Sequence, residues 1–355
     1  MTDISLARPA VSIVIPTYKG GSNLIATVQS CLENQDVELE VIVVDDASPD
    51  DTLECLGRRF SPATYPQLKI LRSSTNSGSG AAGRNKGLAA AQGTYIKFLD
   101  HDDQLEPGTL AHELQAAELH QADLVLSWWG DIQMDADGKP VQETKREFIP
   151  PQPEQLIDAI LEGQKVPYTA AVLYRRSHIC SQQWDPRLTI IDDFDYLCRA
   201  ALRTDKIITI DTVSYYWRRY SNSLQGRQAN NPKSLLEAVY IHSHIYSQIG
   251  ELLKERKLLT PAREMLLARQ LYRDLRVLAR FDRSRCQAQV DRIYSIRPSY
   301  CPDVFAEPSS RIRSAIRLIG LRVFLLAYAM LRWLPDRLQP LEGDVEFFLA
   351  EAQSS

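Results

Sequence analysis

Asp100, Asp102 and Asp103 place three carboxylates within four residues, directly after the apolar run Tyr95–Leu99. In a dry crevice such neighbours repel one another, and solvation, a shared proton or a bound cation must relieve them. Hard divalent cations such as Mg2+ or Mn2+ favour carboxylate oxygen and commonly complete their shell with substrate phosphates. The spacing predicts a diphosphate–metal site. The alternative is an acidic turn complementing the dipole of a helix over 107–119. Asp45-Asp46 likewise ends the apolar run Val41–Val44, placed to accept hydrogen bonds from a nucleobase or ribose, or to cap a helix. A third acidic stretch, Asp192-Asp193 with Asp195, reads either as acids at a helix N-terminus or as a general base facing the diphosphate site.

Gly78, Gly80 and Gly83 spell a G-x-G-x-x-G, with Asp100 following at roughly dinucleotide-binding spacing. The context argues against a nicotinamide site. That fingerprint belongs to the first strand–helix turn, and here the first turn is Thr17-Tyr18-Lys19-Gly20-Gly21. The glycines are expected to let backbone approach a ligand, with Arg84 supplying a cation at a helix start.

These residues need a scaffold, and the first half of the chain supplies one. Val11–Ile15, Val41–Val44, Leu68–Leu71, Tyr95–Leu99 and Leu124–Trp128 are apolar runs of strand length, separated by helical patterns over Asn23–Glu33, from Ser48 onward, Arg84–Ala91 and 107–119. Unbroken apolar strands alternating with helices imply a parallel sheet covered on both faces. Ligands bind such sheets outside the carboxyl ends of the strands, where Thr17-Tyr18, Asp45-Asp46 and Asp100–Asp103 fall. After residue 130 the pattern loosens. Asp137-Gly138 signals a hairpin turn, and a strand at Ala170–Tyr174, a helix at Asp192–Leu202 and two strands near 207–217 follow. Polar, turn-rich Ser221–Pro232 reads as a domain boundary, and the rest is helical, including Ser234–Leu253 and a helix opened by Thr260-Pro261. The expected division is one domain over 1–225, in two halves at about 9–130 and about 131–225, then a helical region over 226–355.

Composition narrows the classes. The chain has 355 residues, 44% hydrophobic and 24% charged, with a net charge of −4, which excludes a disordered or collagen-like chain and gives nucleic acid no basic footprint. Six cysteines without a C-x-x-C pair read as reduced thiols. No secretory leader pattern and no apolar run of spanning length are visible, so the expected location is cytoplasmic, peripheral at the inner face of the membrane if the C-terminal region binds there. Residues 311–337 carry six Arg and one Asp around an apolar stretch. They suit either a helix at an anionic membrane surface or a helix packed on the first domain or a second subunit. Trp128, Trp129 and Trp184 are read as packing residues, with the floor of a sugar pocket as the alternative, and His101 as solvent-facing.

Four segments in order, Val11–Tyr18 (VSIVIPTY), Val41–Thr52 (VIVVDDASPDDT), Arg84–Leu88 (RNKGL) and Phe98–Asp103 (FLDHDD), resemble glycosyltransferase family 2. The resemblance covers roughly residues 9–225. It implies an α/β GT-A fold, a Rossmann-like, mostly parallel sheet flanked by helices, ahead of the helical C-terminal region. It also implies an inverting, metal-dependent transfer of one sugar from a nucleotide-diphosphate sugar, UDP-linked by expectation, to a hydroxyl acceptor such as a lipid-linked glycan, in cell-surface or exopolysaccharide synthesis. On that resemblance Thr17, Tyr18, Asp45 or Asp46, and Arg84 hold the nucleotide and Asp100 lies near the ribose. Asp102 ligates Mn2+ or Mg2+, Asp193 (or Asp192) is the base, and Arg218 helps neutralise the leaving diphosphate. Asp192 stands where the family more often has Glu, Tyr220 where it often has His, and no Q-x-x-R-W of processive synthases is present. A nucleotidyltransferase and a non-catalytic nucleotide-sugar binder are the rival readings.

Overall fold

The computed structural model describes residues 8–135, 140–164, 166–188, 191–220 and 232–300. The expectations for 311–337 and for the Asp137-Gly138 turn lie outside the described residues. Two compact units divide the chain: residues 1–157 with 165–221, and residues 158–164 with 222–355.

In the first unit the apolar runs become strands because their β-branched residues are buried on both faces. β1 (Val11–Thr17) and β2 (Leu39–Asp45) are almost wholly buried, and pair in parallel so that Thr17 lies beside Asp45. β3 (Leu68–Arg72) joins β2 in parallel, and β4 (Tyr95–Phe98) joins β1 in parallel. The sheet continues through β5 (Gln104–Leu105), β6 (Leu124–Met134), β8 (Val172–Arg175) and β9 (Ile207–Tyr220), in the order β3-β2-β1-β4-β8-β6-β9-β5, with β7 (Pro140–Phe148) paired to β6. Beyond β4 the pairing is mixed: β8 is antiparallel to β4 and β6, and β6 is parallel to β9. The two strands expected near 207–217 are one, β9, which absorbs its irregularity as register shifts opposite Leu126–Trp129 instead of breaking.

Helices α1 (Gly21–Leu32), α2 (Thr52–Arg59), α3 (Gly80–Ala90) and α4 (Thr109–Leu119) follow the first strands. Later in the unit come α6 (Arg176–Ile179) and α7 (Asp192–Ala201), while α5 (Leu156–Glu162) crosses the boundary between the units. Two starts differ from expectation. Ser48 caps no helix; its N–H donates to the Asp45 carboxylate and its hydroxyl accepts from Lys19 N, so α2 begins only at Thr52. Helix α3 begins a turn earlier, capped by the Ser79 hydroxyl accepting from Ala81 N, which moves Arg84 to the second turn.

One glycine of the expected ligand loop, Gly83, serves packing instead, as does Gly87 further along α3. A Cβ on Gly83 would sit 2.9 Å from Pro16 Cβ, and one on Gly87 only 2.2 Å from Val14 Cγ1. They let α3 lie against β1 rather than admit a ligand. Gly87→Ala is therefore expected to destabilise the unit by about 1–3 kcal/mol, read by urea denaturation, because buried Val14 must move to accept it.

In the second unit, α8 (Pro232–Glu255), α9 (Pro261–Phe281) and α10 (Cys286–Ile296) pack around Val239, Ile245, Ile249, Leu267, Leu271 and Ile293. Thr260 caps α9 as its sequence predicts, its hydroxyl accepting from Arg263 N. The seven residues of 158–164 belong to this unit: Tyr246 OH donates to Ile160 O at 2.9 Å and Gln270 Nε2 to Leu161 O at 2.8 Å. Among the described residues no helix is long and apolar enough to cross a membrane. The described cysteines Cys31, Cys55, Cys180, Cys198 and Cys286 are free thiols.

Candidate active site at the carboxyl edge of the sheet

Strand ends bring the acidic stretches to one rim of the first unit. Thr17 is the last residue of β1, and its buried hydroxyl has no hydrogen-bond partner. Gly20 lies so close that a Cβ there would come within 2.4 Å of that oxygen and 3.2 Å of His101, so His101 packs over this turn. Tyr18 is 41% exposed, with the Lys19 ammonium 5.2 Å from its ring centre. Beside them, the Asp45 carboxylate is buried and occupied by Ser48 N and by Arg72 Nε at 3.4 Å. Asp46 instead accepts from Ser77 N and Ser77 Oγ, both at 2.9 Å, and so pins the loop that leads into α3.

Arg84 is the electrostatic centre. Its guanidinium donates to Asp100 Oδ1 at 2.6 Å and to Asp192 Oδ2 at 2.8 Å, joining the end of β4 to the start of α7. It also lies 4.6 Å over the ring of Trp184. Burial works against its charge, but Asp100 and Asp192 outweigh that and hold its pKa above the ordinary value. Asp193 stands next to this bridge, its carboxylate accepting from Phe194 N at 2.8 Å. Burial first, then the charge of Asp192, push Asp193 up to about 7, and burial likewise raises Asp192. A carboxyl group that titrates near neutrality in a cleft is suited to proton transfer.

Arg218 reaches the acidic turn that follows β4. It is buried, and its Nε donates to the main-chain oxygen of Asp102 at 2.6 Å. Its Nη2 reaches Asn23 O, Thr27 Oγ1 and Asp103 O at 2.8–3.2 Å. The guanidinium thus braces the 102–103 turn from beneath. Thr27 shares this task, with its hydroxyl within 2.8 Å of both His101 O and Asp103 O. The turn it braces is crowded with carboxyl groups: burial, reinforced by Asp100, raises the pKa of Asp102, and burial with the charge of Asp102 raises that of Asp103 well above the usual carboxylate range.

Three residues other than glycine adopt the left-handed conformation around this rim: Lys19 (φ 56°), Ala47 (φ 59°) and Ile191 (φ 50°). Each stands within two residues of an expected site position. For β-branched Ile191, immediately before Asp192-Asp193, the conformation is costly, and strain of this kind gathers at functional turns.

The partners that fix Trp184 were not legible as site residues. Trp184 is fully buried, stacked on Tyr196 with ring centres 4.1 Å apart, and edged by Phe98 at 5.1 Å. The Asn85 side chain clamps its main chain, accepting from Trp184 N and donating to Trp184 O. Trp129 is buried on Phe148, and Trp128 is half-buried. All three tryptophans are thus at least half covered, in line with a packing role. The hint for Asn85 was its place within RNKGL; Thr27 gave none, being a single polar residue on the buried face of a helix.

Residues 12–180 match the family model for glycosyl transferase family 2. The chain carries a glycosyl transferase family 2 domain. Its Bacillus subtilis relative EpsH is 29% identical over 231 residues, covering 62% of this chain and 64% of EpsH. The Staphylococcus aureus poly(ribitol-phosphate) beta-N-acetylglucosaminyltransferase TarS is 26% identical over 214 residues, covering 58% of this chain and 35% of that protein. The chain thus spans less than two thirds of the length of these curated relatives. Among solved structures, TarS 1–349 in complex with UDP-GlcNAc superposes with a TM-score of 0.57 at 20% identity, over 97% of this chain and 90% of that one. The mannosyltransferase PcManGT of Pyrobaculum calidifontis, in complex with GDP-Man and Mn2+, gives 0.52 at 15% identity, over 98% and 87%. At these identities the likeness is one of fold, and the family 2 domain has the GT-A fold of its neighbours.

Proposed function

We propose that the protein transfers a single sugar from a nucleoside-diphosphate sugar, with UDP as the nucleotide, to a hydroxyl acceptor with inversion, in the building of a cell-surface or extracellular polysaccharide. The observation that carries this reading is Asp193. It is a carboxyl group lifted to about 7, beside an arginine that bridges the end of β4 to the start of α7. Asp193 takes the proton of the acceptor hydroxyl as that oxygen attacks the anomeric carbon and the bond to the diphosphate breaks. Thr17, Tyr18, Asp45, Asp46 and Asp100 form the nucleotide end. The unpartnered Thr17 hydroxyl and the exposed Tyr18 ring are free for a ligand, whereas Asp45 and Asp46 shape the turns around it. Arg84 exchanges part of its pairing with Asp100 and Asp192 for the donor, and Asp192 steadies Arg84. Arg218, which braces the Asp102–Asp103 backbone, helps neutralise the leaving diphosphate.

The donor set also fits a divalent cation. Asp102 lies in a turn whose carboxyl groups are driven up by burial and mutual repulsion, which a hard cation relieves. Among the described residues no three acidic, histidine or cysteine side chains close a cage by themselves, so Asp102 would hold Mn2+ or Mg2+ together with the donor's phosphate oxygens. When bound, the cation supplies charge stabilisation for the departing diphosphate. The complex of TarS with UDP-GlcNAc supports a UDP-linked donor, and that of PcManGT with GDP-Man and Mn2+ supports a divalent cation.

A thermal-shift screen of nucleotide sugars with Mn2+ tests the reading: a donor that binds the folded state raises the midpoint, and no response to any donor overturns it. Asp102→Ala is expected to abolish the Mn2+-dependent part of donor affinity, measured by calorimetry with and without the metal. Donor binding equally sensitive to Mn2+ in both proteins would remove Asp102 from that role.

A further inference from the structure

At the opposite rim, where β1 and β2 begin, the first unit holds a groove of about 790 Å³ that the reaction does not use. This is the size of a small-molecule site. Two guanidinium groups line it, from positions 168 residues apart in sequence: Arg8 Nε donates to Gln92 O at 2.8 Å and Arg176 Nε to Gly93 O at 2.8 Å. Each arginine is anchored through one nitrogen to a carbonyl of the same two-residue turn. That turn is itself fixed, because a Cβ on Gly93 would lie 2.5 Å from Ser12 N. Neither guanidinium has a carboxylate partner among the described residues.

One of the two acids lining the groove is already neutralised. Glu40 is buried, accepts from Ser12 Oγ and Gln92 N, and pairs with Lys69 Nζ at 2.6 Å. Of the charges lining the groove, Arg8, Lys69 and Arg176 outnumber Glu38 and Glu40, in a protein that is acidic as a whole. Arginine is the side chain best shaped to grip a carboxylate or phosphate with two parallel N–H donors. Around the pair, the amides of Gln35 and Gln67 have no side-chain partner among the described residues, and Pro9, Val37 and Pro66 add apolar wall. Paired cations, unused amides and a partly apolar wall match a sugar ring that carries an anionic group.

We infer that this groove binds an anionic saccharide, a sugar phosphate or a sugar acid, through Arg8 and Arg176. The inference does not depend on the transferase reading, since it involves none of that site's residues. Calorimetry on the full-length protein tests it with glucose 6-phosphate, glucuronate, inorganic phosphate and glucose as probes. Either anionic sugar is expected to bind, neutral glucose is not, and Arg8→Gln with Arg176→Gln is expected to weaken the anionic sugar about tenfold or more. Inorganic phosphate binding as tightly as both anionic sugars would overturn the saccharide assignment. So would equal affinity of wild type and double variant, or no binding of either anionic sugar. Arg8 is exposed, so Arg8→Gln alone, with an unchanged thermal midpoint, provides the variant whose fold is not at risk. A loss in that variant with nucleotide binding intact locates the effect in the groove.

Discussion

Asp193→Asn is expected to lower turnover by about 10²–10⁴-fold while leaving donor affinity in place. The amide keeps the size of the carboxyl group and can still accept from Phe194 N, so α7 keeps its first turn. What it loses is the ability to take a proton. The sign of the pH dependence follows from the raised pKa. Burial and the charge of Asp192 keep Asp193 protonated up to about 7, and only the ionised form can act as a base. kcat/KM should therefore climb as pH rises through about 7 and level off above it, and that limb should vanish in the variant. Steady-state rates from pH 5.5 to 9, alongside calorimetric donor binding, check both parts. Full activity in Asp193→Asn, or an unchanged limb, removes Asp193 from the role of base.

Replacing Lys97 with Met should destabilise the first unit by about 3–5 kcal/mol in urea denaturation. Lys97 on β4 and Glu113 on α4 are both wholly buried, with Nζ 2.7 and 2.8 Å from the two carboxylate oxygens. Ser127 Oγ on β6 donates to the same carboxylate at 2.6 Å. Burial lowers the Lys97 pKa, with Glu113 opposing. Removing one partner leaves an uncompensated charge in the core, and that dominates the loss. Lys97→Met with Glu113→Leu removes both charges and should recover much of it; a double variant no more stable than the single one would contradict this account.

The sequence carried the first half of the fold well, because Val11–Ile15, Val41–Val44 and Tyr95–Leu99 are apolar runs buried on both faces, although β1 continues through Pro16 to Thr17. Their parallel pairing follows from the helices between them. The second half was harder to read. β8 enters antiparallel between β4 and β6, a choice set by distant partners rather than by anything local in Ala170–Tyr174. β9 reads as two strands because Asp211 and Thr212 interrupt its apolar pattern, yet its backbone pairing carries it through. The acidic residues of the candidate site announced themselves by type and spacing. Their supports did not. The bracing of the 102–103 turn by Thr27 and Arg218 joins residues 191 apart in sequence, and the Asn85 clamp on Trp184 joins residues 99 apart. No local pattern encodes such partnerships.

The excursion of residues 158–164 means that the helical unit is not a contiguous length of polypeptide. A protease nick or a gene fusion placed at residue 222 would yield a C-terminal piece lacking Ile160 and Leu161, whose carbonyls receive the Tyr246 hydroxyl and the Gln270 amide. Each donor would lose its partner, at about 0.5–1.5 kcal/mol per hydrogen bond, and the surface that 158–164 covers would be laid open. Shuffling of this half between homologous proteins has to carry three crossover points rather than one, and the ribosome must have delivered residue 158 long before its helical companions emerge.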